Sequence, residues 1–311
     1  MPASYPPKGP HYRSQHQVVC RGFMFALLWC VQISWSARAD EADIGKLLKE
    51  KGVAVTETKE VVTAVVVSDG KKLTDADFGQ LGRLVHLKSL DLNNGLNNER
   101  LALLADLVEL EYLQTNLAQI TDDGLKPMAR LKNLRNLKFF HPGPSFSGAG
   151  LAHLAELPHL QQLTVAGSLS FNDEGMAAVA KLTRLQEFRT WHGGATQEGV
   201  KKLKELPNLK SLNLGQRLTY KPPACPTDET IALLVDLKSL EMLQLSEARL
   251  TFTALQQLKQ LPALKKLTLE GIEVPKADVE RLKKELPMLK IEWTEPNDTY
   301  LKRIRSLFGG G

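Results

Sequence analysis

Residues 84–92 read LVHLKSLDL, residues 206–214 LPNLKSLNL and residues 261–269 LPALKKLTL, each a Leu-x-x-Leu-x-x-Leu-x-Leu frame. The frame recurs from Leu107 (LVELEYLQT), Leu131 (LKNLRNLKF), Leu157 (LPHLQQLTV), Leu182 (LTRLQEFRT) and Leu237 (LKSLEMLQL), with a short ninth start at Leu286 (LPMLKIEW). Successive starts lie 23, 24, 26, 25, 24, 31, 24 and 25 residues apart. A pattern that returns in phase this often is one architecture, not a series of independent elements. The last apolar positions of each copy alternate with polar ones, so each copy contributes a short strand with its leucines on one side. No copy can bury that side alone, and the copies must therefore stack. The fold class predicted is α/β: a right-handed solenoid or horseshoe, with a parallel sheet on the concave face and short helices on the convex face. Leucine supplies 54 of the 311 residues, as a layered core of this kind demands.

Between strands, Thr74-Asp75, Thr121-Asp122, Asn172-Asp173 and Thr227-Asp228 offer hydroxyls, amides or carboxylates to cap the first amides of a following helix. Leu-Pro at Leu157, Leu206, Leu261 and Leu286 should stop the helix before it. The organisation expected is a targeting segment over 1–39, an N-terminal cap over 40–83, repeats over 84–293 and a C-terminal cap over 294–311. Within the first cap, Asp43 to Lys51 reads as a helix, Val61 to Val67 as the first, atypical strand, and a further helix runs through Leu81. In the last, Tyr300, Leu301, Ile304, Leu307 and Phe308 are spaced to cover the final repeat, leaving Lys302, Arg303 and Arg305 outward. A basic membrane-touching helix is the weaker reading of that segment, which is short and carries only these cations.

The repeat resembles the leucine-rich repeat family over about residues 60–293. The cadence Ile120-Thr121-Asp122-x-Gly124-Leu125 is similar to cysteine-poor, ribonuclease-inhibitor-like repeats of secreted bacterial proteins, those of planctomycete type especially. The closing Leu286-Pro287-Met288-Leu289-Lys290-Ile291-Glu292-Trp293 looks like their last strand. The resemblance implies a scaffold for binding and names no ligand.

Charge adds little. The formal net charge is +5, but residues 1–39 hold Lys8, Arg13, Arg21 and Arg38 and no acid, so 36 basic residues face 35 acidic ones thereafter. Near-neutrality argues against nucleic acid as the partner. Cys20 and Cys30 lie in the same first stretch and leave Cys225 alone after it, which excludes a disulfide framework or a cysteine-based metal site within a processed chain. Gly22 to Trp35 (GFMFALLWCVQISW) is a largely apolar run of 14 residues behind a basic leader, and Ala37-Arg38-Ala39 supplies the small residues of a cleavage site. We read it as a secretory signal cut after Ala39, because a helix of that length rises only about 21 Å against a hydrocarbon core of about 30 Å. A start at Met24 would shorten the long leader. The expected location is secreted, periplasmic or cell envelope, with no stable membrane span after cleavage.

No nucleophile elbow, phosphate loop, metal-spaced histidines or paired catalytic carboxylates stand out, so neither an enzyme nor a cofactor is expected. The Thr-Asp pairs are repeated by the architecture and read as caps. Gly193-Gly194 lacks the Lys-Ser or Lys-Thr of a phosphate loop.

The residues that flank the strand leucines project from the concave face, and most are small or polar. Tyr112, then Lys138, Phe140 and His141, then Arg189, Trp191 and His192 differ, placing rings and cations where solvent should be. Phe140 and Trp191 share a column with Ala166 between them. Two strand spacings set them about 10 Å apart, as a slot with a small floor. His141 and His192 share the next column at a similar separation, too far for one shared ion. Two readings stand side by side: a protein-binding hot spot, or rings that tuck into their own turns and shield backbone.

The copy from Leu206 is longer than its neighbours, and the excess falls in Tyr220 to Pro226 (YKPPACP). Cys225 within it reads as a free loop thiol or as one that pairs with a partner chain. Asn297-Asp298-Thr299 matches a glycosylation acceptor, meaningful only in a eukaryotic secretory host. The leading expectation is a monomeric, non-enzymatic protein that binds another protein on the concave face. A carbohydrate or cell-envelope binder using the same rings is the first alternative. An F-box-like adaptor is the second, disfavoured because no adaptor-binding helical module precedes Val61.

Overall fold

A computed structural model describes residues 40–217 and 223–309 of the chain. The targeting segment, with Cys20 and Cys30, and residues 218–222 of the long repeat lie outside the described residues.

The strands are β1 (Ala54–Thr58), β2 (Val61–Val67), β3 (Ser89–Leu92), β4 (Tyr112–Asn116), β5 (Asn136–Phe140), β6 (Gln162–Ala166), β7 (Glu187–Thr190), β8 (Ser211–Gly215), β9 (Met242–Ser246), β10 (Lys266–Glu270) and β11 (Lys290–Thr294). They form one open sheet in strict chain order. From β2 onward every neighbouring pair is parallel. Leu90, Leu113, Leu137, Leu163, Phe188, Leu212, Leu243 and Leu267 stand in one register row, none more than 1% exposed. Truncating such a leucine to alanine costs about 2–5 kcal/mol. Helical segments follow most strands and form the opposite wall, with the leucine layer between the walls. The architecture is the solenoid that the repeats predict.

The N-terminal edge differs from expectation. Residues 40–50 form helix α1, but Val61–Val67 is the second strand, paired antiparallel with β1. The hairpin turns through Lys59 and Glu60, at φ 51° and 65°. β1 reads AVTET and is almost wholly exposed, so it carries no alternating apolar signature by which to find it. It gives the end of the stack a polar, hydrogen-bonded strand in place of a bare parallel edge.

The cap residues divide their work between repeats. In α2 (Asp75–Leu81), Thr74 caps its own helix, with its hydroxyl accepting from Asp77 N at 3.3 Å while Asp77 accepts from Thr74 N at 2.8 Å. Asn97 and Asn172 do the same for α3 (Asn98–Leu103) and α4 (Asp173–Val179). Thr196 and Thr251 serve α5 (Gln197–Val200) and α7 (Phe252–Gln256). The residue after the cap reaches forward instead. Asn98 accepts from Thr121 N (3.1 Å), Asp173 from Thr196 N and Oγ1 (2.7 and 2.8 Å), and Asp228, the first residue of α6 (Asp228–Leu234), from Thr251 N and Oγ1 (2.9 and 2.7 Å). Asp122 accepts from Ser147 N and Oγ, Gly148 N and Gly150 N at 2.8–3.0 Å. The Thr-Asp pair is thus half a cap and half a joint to the next repeat. The glycine of the cadence makes room for that joint: a Cβ on Gly199 would lie 2.5 Å from Asp173 Oδ1, and one on Gly150 2.1 Å from the Asp122 carbonyl oxygen.

The C-terminal segment also departs from expectation. After α8 (Lys276–Glu285) and β11, the chain enters α9 (Asp298–Phe308), with Asn297 accepting from Tyr300 N at 2.9 Å. Ile304 and Leu307 are buried as predicted, but Arg303 is not outward. Its guanidinium contacts Glu247 and lies 3.0 Å from His192 Nε2, so α9 lies back along the strand exits as far as the turn after β7. The buried carboxylate of Glu247, which follows β9, two strands before the one that leads into α9, supplies the reason, and apolar spacing carries no sign of it.

Cys225 is 6% exposed, and its Sγ lies 3.9 Å from Thr230 Oγ1. Burial pushes its thiol up to about 11. It is a free thiol, as one reading of it expected, but it packs into the core as a small apolar group. Among the described residues, no helix is long and apolar enough to cross a membrane.

Candidate binding face

The outward face of the sheet is ordered in columns. One runs Asp91, Gln114, Lys138, Thr164, Arg189, Asn213, Gln244. The next places Asn116, Phe140 and Ala166 in register, and on the far side Gly215, Ser246 and Glu270, with Trp191 between the two groups just past the end of β7.

Phe140 and Trp191 are both partly buried, with ring centroids 6.2 Å apart and planes tilted by 54°. The expected slot is therefore closed. The rings lean together over Ala166, itself 1% exposed, and form a ridge in place of a gap. Apolar rings left about 10 Å apart would each expose a face, and meeting across the small residue buries both. On the other side, a Cβ on Gly215 would lie 2.4 Å from Trp191 Cβ, so only glycine leaves Trp191 its place.

The other candidates distribute unevenly around that ridge. Lys138 Nζ sits 5.2 Å from the Tyr112 ring centroid, and the Tyr112 hydroxyl donates to Gln114 Oε1 at 3.0 Å. Arg189 is half exposed and paired with Glu187 on its own strand. His141 is exposed, with its ring centroid 6.5 Å from that of Phe140. His192 is drawn away from the ridge, its Nε2 2.8 Å from Glu247 Oε1 and 3.0 Å from Arg303. His141 and His192 both leave the sheet at positive φ, 48° and 52°. In the same turn position Gly167 does so without strain.

Two recesses flank the ridge. One, of about 330 Å³, is lined by Val66, Asp91, Gln114, Asn116, Phe140 and His141. The other, of about 280 Å³, is lined by Trp191, Asn213, Gln244, Ser246, Glu270 and Tyr300, with His192 and Glu247 at its edge. Burial pushes the Glu247 carboxyl up, but hydrogen bonds and charge from His192 and Arg303 outweigh it and hold the group below its ordinary range. Sequence reasoning missed this second recess. Glu270 was readable as a column neighbour of Trp191, but Tyr300 arrives on a helix whose return path no local pattern encodes. Among the described residues, no group of three or more His, Cys, Asp or Glu side chains is placed to hold a metal ion.

No protein-family model matches the chain, and no curated protein does. Among solved structures it is similar to an internalin from Listeria monocytogenes at 17% identity, over 71% of each chain, with a TM-score of 0.41. A protein from Bacteroides fragilis is similar at 15% identity, over 67% of this chain and 65% of that one, with a TM-score of 0.47. TLR13, solved in complex with ssRNA13, is similar at 16% identity over 79% of this chain but 34% of its own, with a TM-score of 0.48. At these values the architecture stands on the chain's own repeat and strand register.

Proposed function

We propose that the chain is a non-enzymatic binding protein that takes a protein partner on the outward face of its sheet, around the Phe140–Trp191 ridge. The ridge carries this reading. Two large rings are held in contact on a continuous parallel sheet, backed by strand leucines that are fully buried. Rigid aromatic anchors of this kind dominate interface energies. Tyr112 with Lys138, Arg189 beside Glu187, and exposed His141 supply polar contacts around it. His192, held by Glu247 and Arg303, acts through the position of α9 more than by direct contact. The leader over residues 1–39 supports a secreted, periplasmic or cell-envelope location, where such a surface meets other envelope proteins.

The test is capture by the immobilised full chain from an envelope extract, identification of the captured protein, and pairwise affinity. The double variant Phe140→Ala with Trp191→Ala should lose about 100-fold in affinity, since two central aromatics are removed. Its unfolding free energy should fall by about 3 kcal/mol, the ring contact together with the partial burial that both rings lose. Undiminished affinity would remove the ridge from the interface, and a large stability loss would mean that the rings serve only to shield backbone.

A further inference from the structure

The recess between Trp191 and Tyr300 holds hydrogen-bond acceptors that the described residues leave unsatisfied or only partly satisfied. Its floor crosses the column from Trp191 through Gly215 and Ser246 to Glu270, about 14 Å at ordinary strand spacing. Tyr300 closes the far side, its ring against Gly271, where an added Cβ would lie 2.4 Å from Tyr300 Cδ2. Asn213 Oδ1 is buried without a hydrogen-bond partner. The Glu270 carboxylate receives one hydrogen bond, from Gln244 Nε2 at 2.9 Å, and no salt bridge among the described residues.

The nearby cations are committed elsewhere. Arg189 pairs with Glu187, and Arg303 with Glu247. With Arg303 and His192 both set against Glu247, the Glu270 carboxylate is the acid of the recess that pairs with no cation among the described residues. The Tyr300 hydroxyl registers the same field, raised first by burial and then by Glu247 and Glu270. An anion would meet repulsion here, and an apolar group would bury acceptors unpaired. Two aromatic side chains, a carboxylate and an amide oxygen together suit a cation with several N–H donors.

We propose that this recess receives a cationic side chain of the bound protein, an alkylammonium or guanidinium group, with Trp191 and Tyr300 against its stem and Glu270 with Asn213 Oδ1 accepting from its nitrogen. This rests on the protein-partner reading and adds to it the chemistry of one contact.

The experiment is a titration of isotopically labelled full chain, reading the Trp191 indole signal. The probes are N-acetyl-arginine methylamide, N-acetyl-lysine methylamide, the neutral isostere N-acetyl-citrulline methylamide, spermidine and chitotriose. The amino-acid cations should bind about tenfold more tightly than the citrulline derivative, and Glu270→Gln should erase that preference with the spectrum otherwise unchanged. Equal binding of the neutral isostere overturns the proposal, as does a Trp191 shift with chitotriose but not with the cations. Binding of spermidine alone would assign the recess to a free polyamine and overturn the side-chain source. The captured partner separates the two readings. If Glu270→Gln binds it as wild type does while the ridge variant does not, the cation site falls and the binding face stands. If the ridge variant also binds normally, the binding face itself falls.

Discussion

Replacing Asp122 by alanine should break one joint of the solenoid while leaving its leucines untouched. The carboxylate receives four hydrogen bonds from the next repeat, from Ser147 N and Oγ, Gly148 N and Gly150 N. The 3-10 segment those donors begin, Ala149–Leu154, has no side-chain cap of its own, because Gly148 stands at its cap position with φ 92°. Asp122 is therefore its cap, supplied from the preceding repeat. Loss of a cap costs about 0.5–2 kcal/mol, and hydrogen bonds to a charged acceptor about 1.5–3 kcal/mol each when lost singly. Water recovers part of this at a partly exposed site, which leaves about 3 kcal/mol for the whole. For a chain of this size that is a fall in Tm of about 5 °C. Thermal and denaturant unfolding followed by circular dichroism would read it, and the denaturant transition should broaden, since stability in a stacked array is a sum over neighbouring joints. Asp122→Asn, which keeps one acceptor oxygen, should lie between. Asp123→Ala is the control, since Asp123 is 80% exposed and paired only with Lys126 on its own turn. A Tm for Asp122→Ala indistinguishable from that of Asp123→Ala would refute the joint.

The latch between α9 and the sheet should loosen in acid. Glu247 is held below its ordinary value of 4.5 in the folded chain, so it contributes stability above that value and loses it as pH falls through the folded one. Hydrogen exchange of residues 298–308, corrected for intrinsic rates, should rise in wild type as pH falls from about 5 to about 3 and be flat in Glu247→Gln; protection unchanged by acid in wild type would exclude the latch. Cys225, buried and shifted to about 11, should react with a thiol reagent at neutral pH only as fast as the chain opens. Labelling at the rate of a small free thiol would place it at the surface after all.

The solenoid was legible because its signal is distributed: no single leucine decides it, and the row from Leu90 to Leu267 is the same pattern read eight times. The Leu-Pro stops were equally plain, with helical segments ending at Glu205, Gln260 and Glu285 just before Leu206, Leu261 and Leu286. Features that depend on one contact between distant residues were not. β1 carries no alternating pattern, and the turn of Arg303 toward Glu247 depends on a carboxylate 56 residues away. At the candidate face, the column shared by Phe140 and Trp191 followed from repeat alignment. Their contact did not, because strand spacing fixes Cα positions while the rings are free to lean. The double duty of the Thr-Asp pair was hidden for a related reason. A cap and a joint use the same residue types, and only the partner's position tells them apart.

The joints give the chain a grammar of length. Where Asn98, Asp122, Asp173 or Asp228 follows the cap, a segment cut at the cap brings both the donor for the joint behind it and the acceptor for the joint ahead. Whole units can then be copied or deleted with matching partners on either side, whereas a fractional unit leaves an acceptor facing the wrong residue. The place where spacing departs most, 31 residues from Leu206 to Leu237, is also where the joint is rewritten: Gln197 Nε2 donates to Thr227 Oγ1 and to the Ala224 carbonyl at 2.9 Å, in place of the aspartate. An irregular repeat thus needs its own local syntax.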